Sequence, residues 1–235
     1  MRPQELIERF ARLTCAHVAD ACLRAGVPVR CGPAGLAAVL PNRRVAGRVL
    51  PAQHVGSVDV FLEAIERAAP GDVMVVDNGG RRDEACVGDL VVAEAAAAGL
   101  SGVVIWGLHR DTVDITAIGL PVFSLGSVPA GPLAVTERPA DALELATVGE
   151  WVVTREDVVL ADDDGVLFLP AENADALLDV AEGIRDTERR QAEHIRGGES
   201  LRGQLGFADF LAAREDSPGL TFREHLRSVG GAIEE

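Results

Sequence analysis

The chain has 235 residues, 48% of them hydrophobic, and a formal charge of -15 with an isoelectric point near 4.7. That much negative charge repels a polyanion and argues against direct nucleic-acid binding, and no apolar run approaches the ~20 residues a membrane helix needs. All 22 basic residues are arginine and tyrosine is absent, which excludes a lysine amine as nucleophile, a Walker-type phosphate loop and a phenol as proton donor.

The length suits one large core without a second domain. The opening segment MRPQELIERF is charged and amphipathic rather than a signal peptide, so a cytosolic protein is expected. Cys15, Cys22, Cys31 and Cys86 show no C-x-x-C spacing and read as reduced, mostly buried residues. The five histidines are scattered with no H-x-x-x-H pair, so zinc-type ligation is not expected.

In chain order, Pro3 to Leu13 reads as a short amphipathic helix, and Thr14 caps a second, Cys15 to Ala25, stopped by Gly26 and Pro28. Asp20 on that helix reads as structural. Gly35 to Leu40 and Arg44 to Ala52 read as strands. Ser57 caps a helix from Val58 to Ala68, and Pro70-Gly71 turns the chain into a central strand ending at Asp77. Arg81 and Arg82 follow the Asp77-Asn78-Gly79-Gly80 turn. They read either as solvated loop charges or as partners for a second substrate carboxylate.

The stretch GDLVVAEAAAAGLSGVVIWGLHRD, from Gly88 to Asp111, carries the chemistry. Asp89 opens a helix of strong helix formers that Gly99 closes, and Gly102 to Trp106 is a short apolar strand. Gly107 to Asp111 leaves that strand, with Asp111 placed to cap the helix Thr112 to Ile118. In a right-handed strand–helix–strand unit, the Gly88 and Gly107 loops meet at the carboxyl edge of one sheet. The unpaired amides at the helix start suit an anion, Arg110 offers a fork for a carboxylate, and Asp89 and Asp111 offer hard oxygen ligands for a magnesium-type ion. An anion clamp beside a metal fits a 2-oxo acid. The plainer alternative makes Asp89 and Asp111 helix caps and Arg110 a surface charge.

Further on, Leu120 to Leu125, Gly149 to Val153, Val158 to Ala161 and Gly165 to Leu169 read as strands, with Asp162-Asp163-Asp164-Gly165 a tight turn lacking the EF-hand pattern. A long helix runs from Pro170 or Ala171 to Arg196. Ser200 to Glu235 reads as two short helices around Asp216-Ser217-Pro218-Gly219.

Five blocks resemble the RraA-like family: GDVMVVDNGG (Gly71 to Gly80), GDL (Gly88 to Leu90), GLSGVVIWGLHRD (Gly99 to Asp111), LPVFSLG (Leu120 to Gly126) and ADDDGVLFLP (Ala161 to Pro170). The family includes the class II, metal-dependent 4-hydroxy-4-methyl-2-oxoglutarate and 4-carboxy-4-hydroxy-2-oxoadipate aldolases, and also a non-enzymatic regulator of ribonuclease E. The resemblance implies a single α/β domain of swivelling β/β/α architecture over residues 1–199, with a helical tail over 200–235 packing on the same or a neighbouring subunit, assembled as a homotrimer or homohexamer. It implies that Arg110 and Asp89 are catalytic, that Gly88, Asp89, Leu90 and Arg110 bind substrate, and that Asp111 holds Mg2+, Mn2+ or another divalent cation. Glu188 would reach a neighbouring subunit's metal, in a segment (Glu188 to Glu199) that departs from the family pattern at Ala192. The implied activity is aldol cleavage to pyruvate with oxaloacetate decarboxylation beside it. The rivals are a protein-binding regulator and a lyase or hydratase of sugar-acid catabolism. Without lysine, aldol chemistry here requires a metal as electron sink.

Overall fold

The computed structural model describes residues 1–229. The last six residues of the expected tail lie outside the described residues.

The chain begins with two helices, α1 (Pro3–Phe10) and α2 (Cys15–Ala25). Thr14 closes a capping box at the start of α2. Its side chain accepts from His17 N at 3.2 Å while Thr14 N donates to His17 Nδ1 at 3.0 Å, an arrangement worth about 1 kcal/mol. Gly26 then ends the helix at φ 66°, where a side chain would be strained.

Two-residue strands follow, β1 (Arg30–Cys31) and β2 (Ala37–Ala38), and then the long β3 (Val45–Gln53). The expected strand over Gly35 to Leu40 shrinks to its middle pair. After β3 come α3 (Asp59–Glu66), β4 (Val73–Asp77), β5 (Ala85–Val87), α4 (Asp89–Ala97), β6 (Gly102–Trp106), β7 (Leu108–His109), α5 (Thr112–Ile118) and β8 (Val122–Ser124). Val58, not Ser57, holds the cap position of α3.

The remaining strands are β9 (Leu145–Val148), β10 (Trp151–Thr154), β11 (Asp157–Asp162) and β12 (Gly165–Pro170). The helices α6 (Ala174–Arg196), α7 (Leu201–Gln204), α8 (Phe207–Asp216) and α9 (Phe222–Val229) close the described chain. The tail thus holds three helices among the described residues where two were expected, because Gly206, at φ 57°, breaks the first segment.

Eight strands form one mixed sheet in the order β1-β12-β11-β3-β4-β6-β8-β2. Four adjacent strands, β3, β4, β6 and β8, are parallel, with three antiparallel strands beyond β3 and one beyond β8. The sheet curls, and the side chains of β3 sort by the period of two that a strand imposes. Val45 and Val49 face the interior with Val73, Val104, Phe123 and Phe168. Leu50 and Ala52 face out against α3 and α4, while Ala46 faces out against α1, α2 and α6. At roughly 1.5–3 kcal/mol for each large apolar side chain removed from water, these layers are the main source of stability.

Ion pairs then fasten the helical layer. Arg9 reaches Asp175, Asp179 and Glu182 on α6 at 2.7, 2.6 and 2.8 Å. The Asp162 to Gly165 turn is a structural clasp. Asp162 accepts from Cys15 N and Asp164 N, and Asp163 accepts from Asn42 N.

Candidate functional site

The parallel centre of the sheet fixes the site. The last ladder row is Gln53, Asp77 and Trp106 on β3, β4 and β6. Backbone bonds carry the register one step further, from His54 N to Asp77 O at 2.8 Å and from Asn78 N to Trp106 O at 3.1 Å. His54, Asn78 and Gly107 therefore lie side by side at the carboxyl edge. Position 107 is a glycine because a Cβ there would fall 2.8 Å from Asn78 Cβ.

The Gly107 loop is pinned on both sides. Leu108 and His109 form a parallel pair with Ala85 to Val87, and Arg110 N donates to Val87 O at 3.0 Å. His109 is buried, with Nδ1 2.7 Å from Ser124 Oγ and Nε2 3.0 Å from Thr112 Oγ1. Burial holds its pKa below the usual imidazole value. Both ring nitrogens are engaged, so His109 is a brace that locks the loop to β8 and α5.

Arg110 and Asp111 project from this brace. Asp111 occupies the cap position of α5, as its place in the sequence suggests, but in the left-handed conformation at φ 60° and without a side-chain cap bond. A non-glycine residue in that region is strained, and its carboxylate is left for another partner. That partner within the chain is Arg110, whose Nε lies 3.3 Å from Asp111 Oδ2. Both groups press on Gly88, where a Cβ would meet Asp111 Oδ2 at 2.5 Å and Arg110 Nε at 3.2 Å. From the other side, a Cβ on Gly131 would come within 2.6 Å of Arg110 Nη1.

Gly88, rather than Asp89, is the cap residue of α4, and it makes no side-chain cap bond. Asp89 and Leu90 are the first two residues of the helix, so the unpaired amides and the positive end of its dipole open beside Arg110. Together they line a pocket of about 270 Å³ whose walls include His54, Val58, Cys86 and Pro132. The fold thus brings Gly88, Asp89, Leu90 and Arg110 to one pocket, with Asp111 against Gly88 and Arg110.

Glu188 is placed elsewhere in its own chain. His17 Nδ1 accepts from Thr14 N, so its Nε2 carries the hydrogen and donates to Glu188 Oε2 at 3.0 Å. Within one chain Glu188 tethers α6 to the start of α2. Arg81 is committed as well. Its guanidinium binds Asp83 at 2.9 Å and the buried Glu84 at 2.9 Å, and Glu84 also accepts from Leu133 N. A second substrate carboxylate would have to displace those partners. Arg82 leans over Gly35, with Nη2 4.0 Å from where a Cβ would stand.

His54 is the pocket residue that the sequence concealed, since nothing local marks a histidine after a strand as facing a loop more than 30 residues away. Its ring stacks on Phe61 at 5.3 Å and 9°, and its Nδ1 lies 2.8 Å from Asn78 Oδ1.

Among the described residues no cluster of three or more histidine, cysteine or acidic side chains could hold a metal. The donors at the site are two carboxylates, Asp111 and Asp89. That set fits a magnesium-type ion, which keeps several waters and takes one or two carboxylates plus substrate oxygens, and does not fit zinc. The cradle supports this fit, because Asp111 Oδ2 occupies the space that any side chain at position 88 would fill. No helix among the described residues is long and apolar enough to cross a membrane.

Comparison with known proteins points to one family. A Laribacter hongkongensis protein provisionally named 4-hydroxy-4-methyl-2-oxoglutarate aldolase is 32% identical over 137 residues, covering 58% of this chain and 84% of that protein. The stretches matched span from 32% to 84% of the length of such relatives. An uncharacterised Pseudomonas syringae protein of known crystal structure superposes with a TM-score of 0.75 at 26% identity, covering 85% of this chain and 92% of that one. RraAS2 of Streptomyces coelicolor, described as an unusual member of the RNase ES inhibitor RraA family, superposes with a TM-score of 0.68 at 26% identity, covering 79% and 94%. The family profile described as Aldolase/RraA matches residues 15–168, which contain the whole pocket, and the chain belongs to the RraA-like family.

Proposed function

We propose that this chain is a divalent-metal-dependent aldolase that cleaves 4-hydroxy-2-oxo acids of the 4-hydroxy-4-methyl-2-oxoglutarate type and releases pyruvate. Oxaloacetate decarboxylation, which passes through the same enolate, is its second activity. The observation that carries this reading is the convergence of Arg110 and Asp111 on the backbone of Gly88, at the mouth of the α4 amides.

Each group has a task in that reaction. Arg110 takes the substrate carboxylate in two parallel hydrogen bonds, and the amides at Gly88 to Leu90 share its charge. As the bond between C3 and C4 breaks, negative charge develops on the 2-oxo oxygen, and Arg110 is fixed in place to meet it. Asp89 orients water at the pocket mouth. Asp111, with Asp89 through water, would hold Mg2+ or Mn2+, which supplies Lewis acidity worth several kcal/mol.

The site is completed in a homotrimer or homohexamer, where Glu188 of one copy approaches the site of the next. The apolar rim supports such an assembly. Val58, Leu90 and Val113 are 50%, 79% and 81% exposed around the ends of α3, α4 and α5, an arrangement suited to a covering protein surface.

The test is pyruvate release from 4-hydroxy-4-methyl-2-oxoglutarate and from oxaloacetate, with and without chelator, for the wild type and Arg110→Ala. The expected result is turnover abolished by chelator and lowered about 10²–10³-fold by the substitution, the range for removing one charge-stabilising donor. Turnover indifferent to both would refute the mechanism. No turnover would favour a protein-binding regulator, and RraAS2 is described as an unusual member of an RNase inhibitor family.

A further inference from the structure

Among the described residues, one ring nitrogen of His54, Nε2, has no hydrogen-bond partner. Its Nδ1 faces Asn78 Oδ1 at 2.8 Å, its backbone N–H is bound to Asp77 O, and its ring is clamped flat on Phe61. The ring cannot swing without breaking these contacts, and it lines the same pocket as Gly88, Asp89 and Arg110. The remaining polar atom, Nε2, is therefore available to a ligand there.

Asn78 decides which form of the ring is present. With its carbonyl oxygen turned to Nδ1, the ring must carry its hydrogen on Nδ1, so the neutral ring presents a bare lone pair at Nε2. This orientation has a cost. Asn78 Nδ2 is the one buried side-chain polar atom without a partner among the described residues. The opposite orientation of the amide would let Asn78 Nδ2 donate to His54 Nδ1 and put the ring hydrogen on Nε2, so the two orientations assign opposite tautomers.

The charged and titratable groups around His54 leave it neutral. Glu84, just before β5, favours its protonation and Arg81 opposes it, while Cys86 lies on β5. From the pocket side come Asp89 on α4 and Arg110 on its loop, and from α3 Asp59, which is bound by Ser57. Burial outweighs these charges and lowers the His54 pKa from its usual value, so the base form persists at neutral pH.

We propose that His54 is the proton acceptor for the substrate hydroxyl at C4, with Asn78 as the positioning residue that fixes its tautomer. This rests on the aldolase reading above. The hydroxyl proton passes to Nε2 as the C3–C4 bond breaks. The bonding pair moves to C3 and gives the pyruvate enolate, and C4 leaves as a carbonyl. The imidazolium then releases its proton to water, and the enolate takes one from water at C3, which yields pyruvate.

Decarboxylation of oxaloacetate has no hydroxyl proton to remove, and this separates the roles. His54→Gln and His54→Ala are expected to lower aldol cleavage about 10²–10⁴-fold, the usual span for general base catalysis, and to lower oxaloacetate decarboxylation far less. In the metal-free protein, histidine 15N NMR should show His54 with hydrogen on Nδ1, titrating below the ordinary histidine value, and Asn78→Ala should release the tautomer. Equal loss of both activities, or unchanged aldol cleavage, overturns the proposal while the aldolase reading stands. So does a ring with hydrogen on Nε2. A wild type inactive on both substrates removes the aldolase reading and the proposal with it.

Discussion

Gly88 and Asp111 are in contact across two loops, so close that a Cβ on residue 88 would stand 2.5 Å from Asp111 Oδ2. The same atom would also press on Arg110 at 3.2 Å. Gly88→Ala is therefore expected to shift both functional side chains while leaving the buried strands of the sheet untouched. Misplacement by about 1 Å costs on the order of 10²-fold in rate. Pyruvate release should fall by that order, with a melting temperature within a few degrees of wild type. A fully active Gly88→Ala protein would show that the close approach has no catalytic meaning.

The cysteines provide a test of burial that needs no substrate. Desolvation raises the Cys22 thiol to about 11 and the Cys86 thiol to about 12, and raises Cys15 further still. Cys31 is exposed and only shifted upward. Alkylation at pH 8 followed by mass spectrometry should label Cys31 first, with the other three modified only on unfolding. The same shifts set a pH dependence of stability. Above the ordinary thiol value of 9.0 the native state holds more protons than the unfolded one, so stability should fall as pH rises from there toward 11.

The tail is expected to be separable. Phe207, Phe210, Phe222 and His225 pack against one another at centroid distances of 5.0 to 5.9 Å. Among the described residues, no side chain of α7, α8 or α9 up to Ser228 belongs to the three core clusters around the sheet. A chain ending at Glu199 should still unfold in one cooperative transition, read by circular dichroism. If truncation abolishes that transition, the tail is part of the main body.

The strand–helix–strand unit was legible because its signals are local. An alanine-rich helix, a glycine stop and five apolar residues from Gly102 to Trp106 need no distant partner to be recognised. The strands that escaped are those whose only reason to exist is a remote neighbour. Ala85 to Val87 extends because Leu108 and His109 lie beside it, and Leu145 to Val148 because Trp151 turns back on it. At the site, the cap position of Asp111 could be read but its left-handed backbone could not, since that geometry comes from the braced loop. The carboxylates that occupy Arg81 and the pocket wall formed by His54 are likewise products of the assembled sheet edge.

Arg9 has an implication for how the protein is made. Its three carboxylate partners lie at residues 175 to 182, and β3 needs β11 as its neighbour. During synthesis, which adds about 5–20 residues per second, the first helix waits for the chain to grow through α6 before its partners emerge. The strand–helix–strand unit holding the pocket can pair well before then. The pocket edge would thus be laid down before the amino-terminal helices fasten onto the nascent body, which they can do only once α6 has emerged.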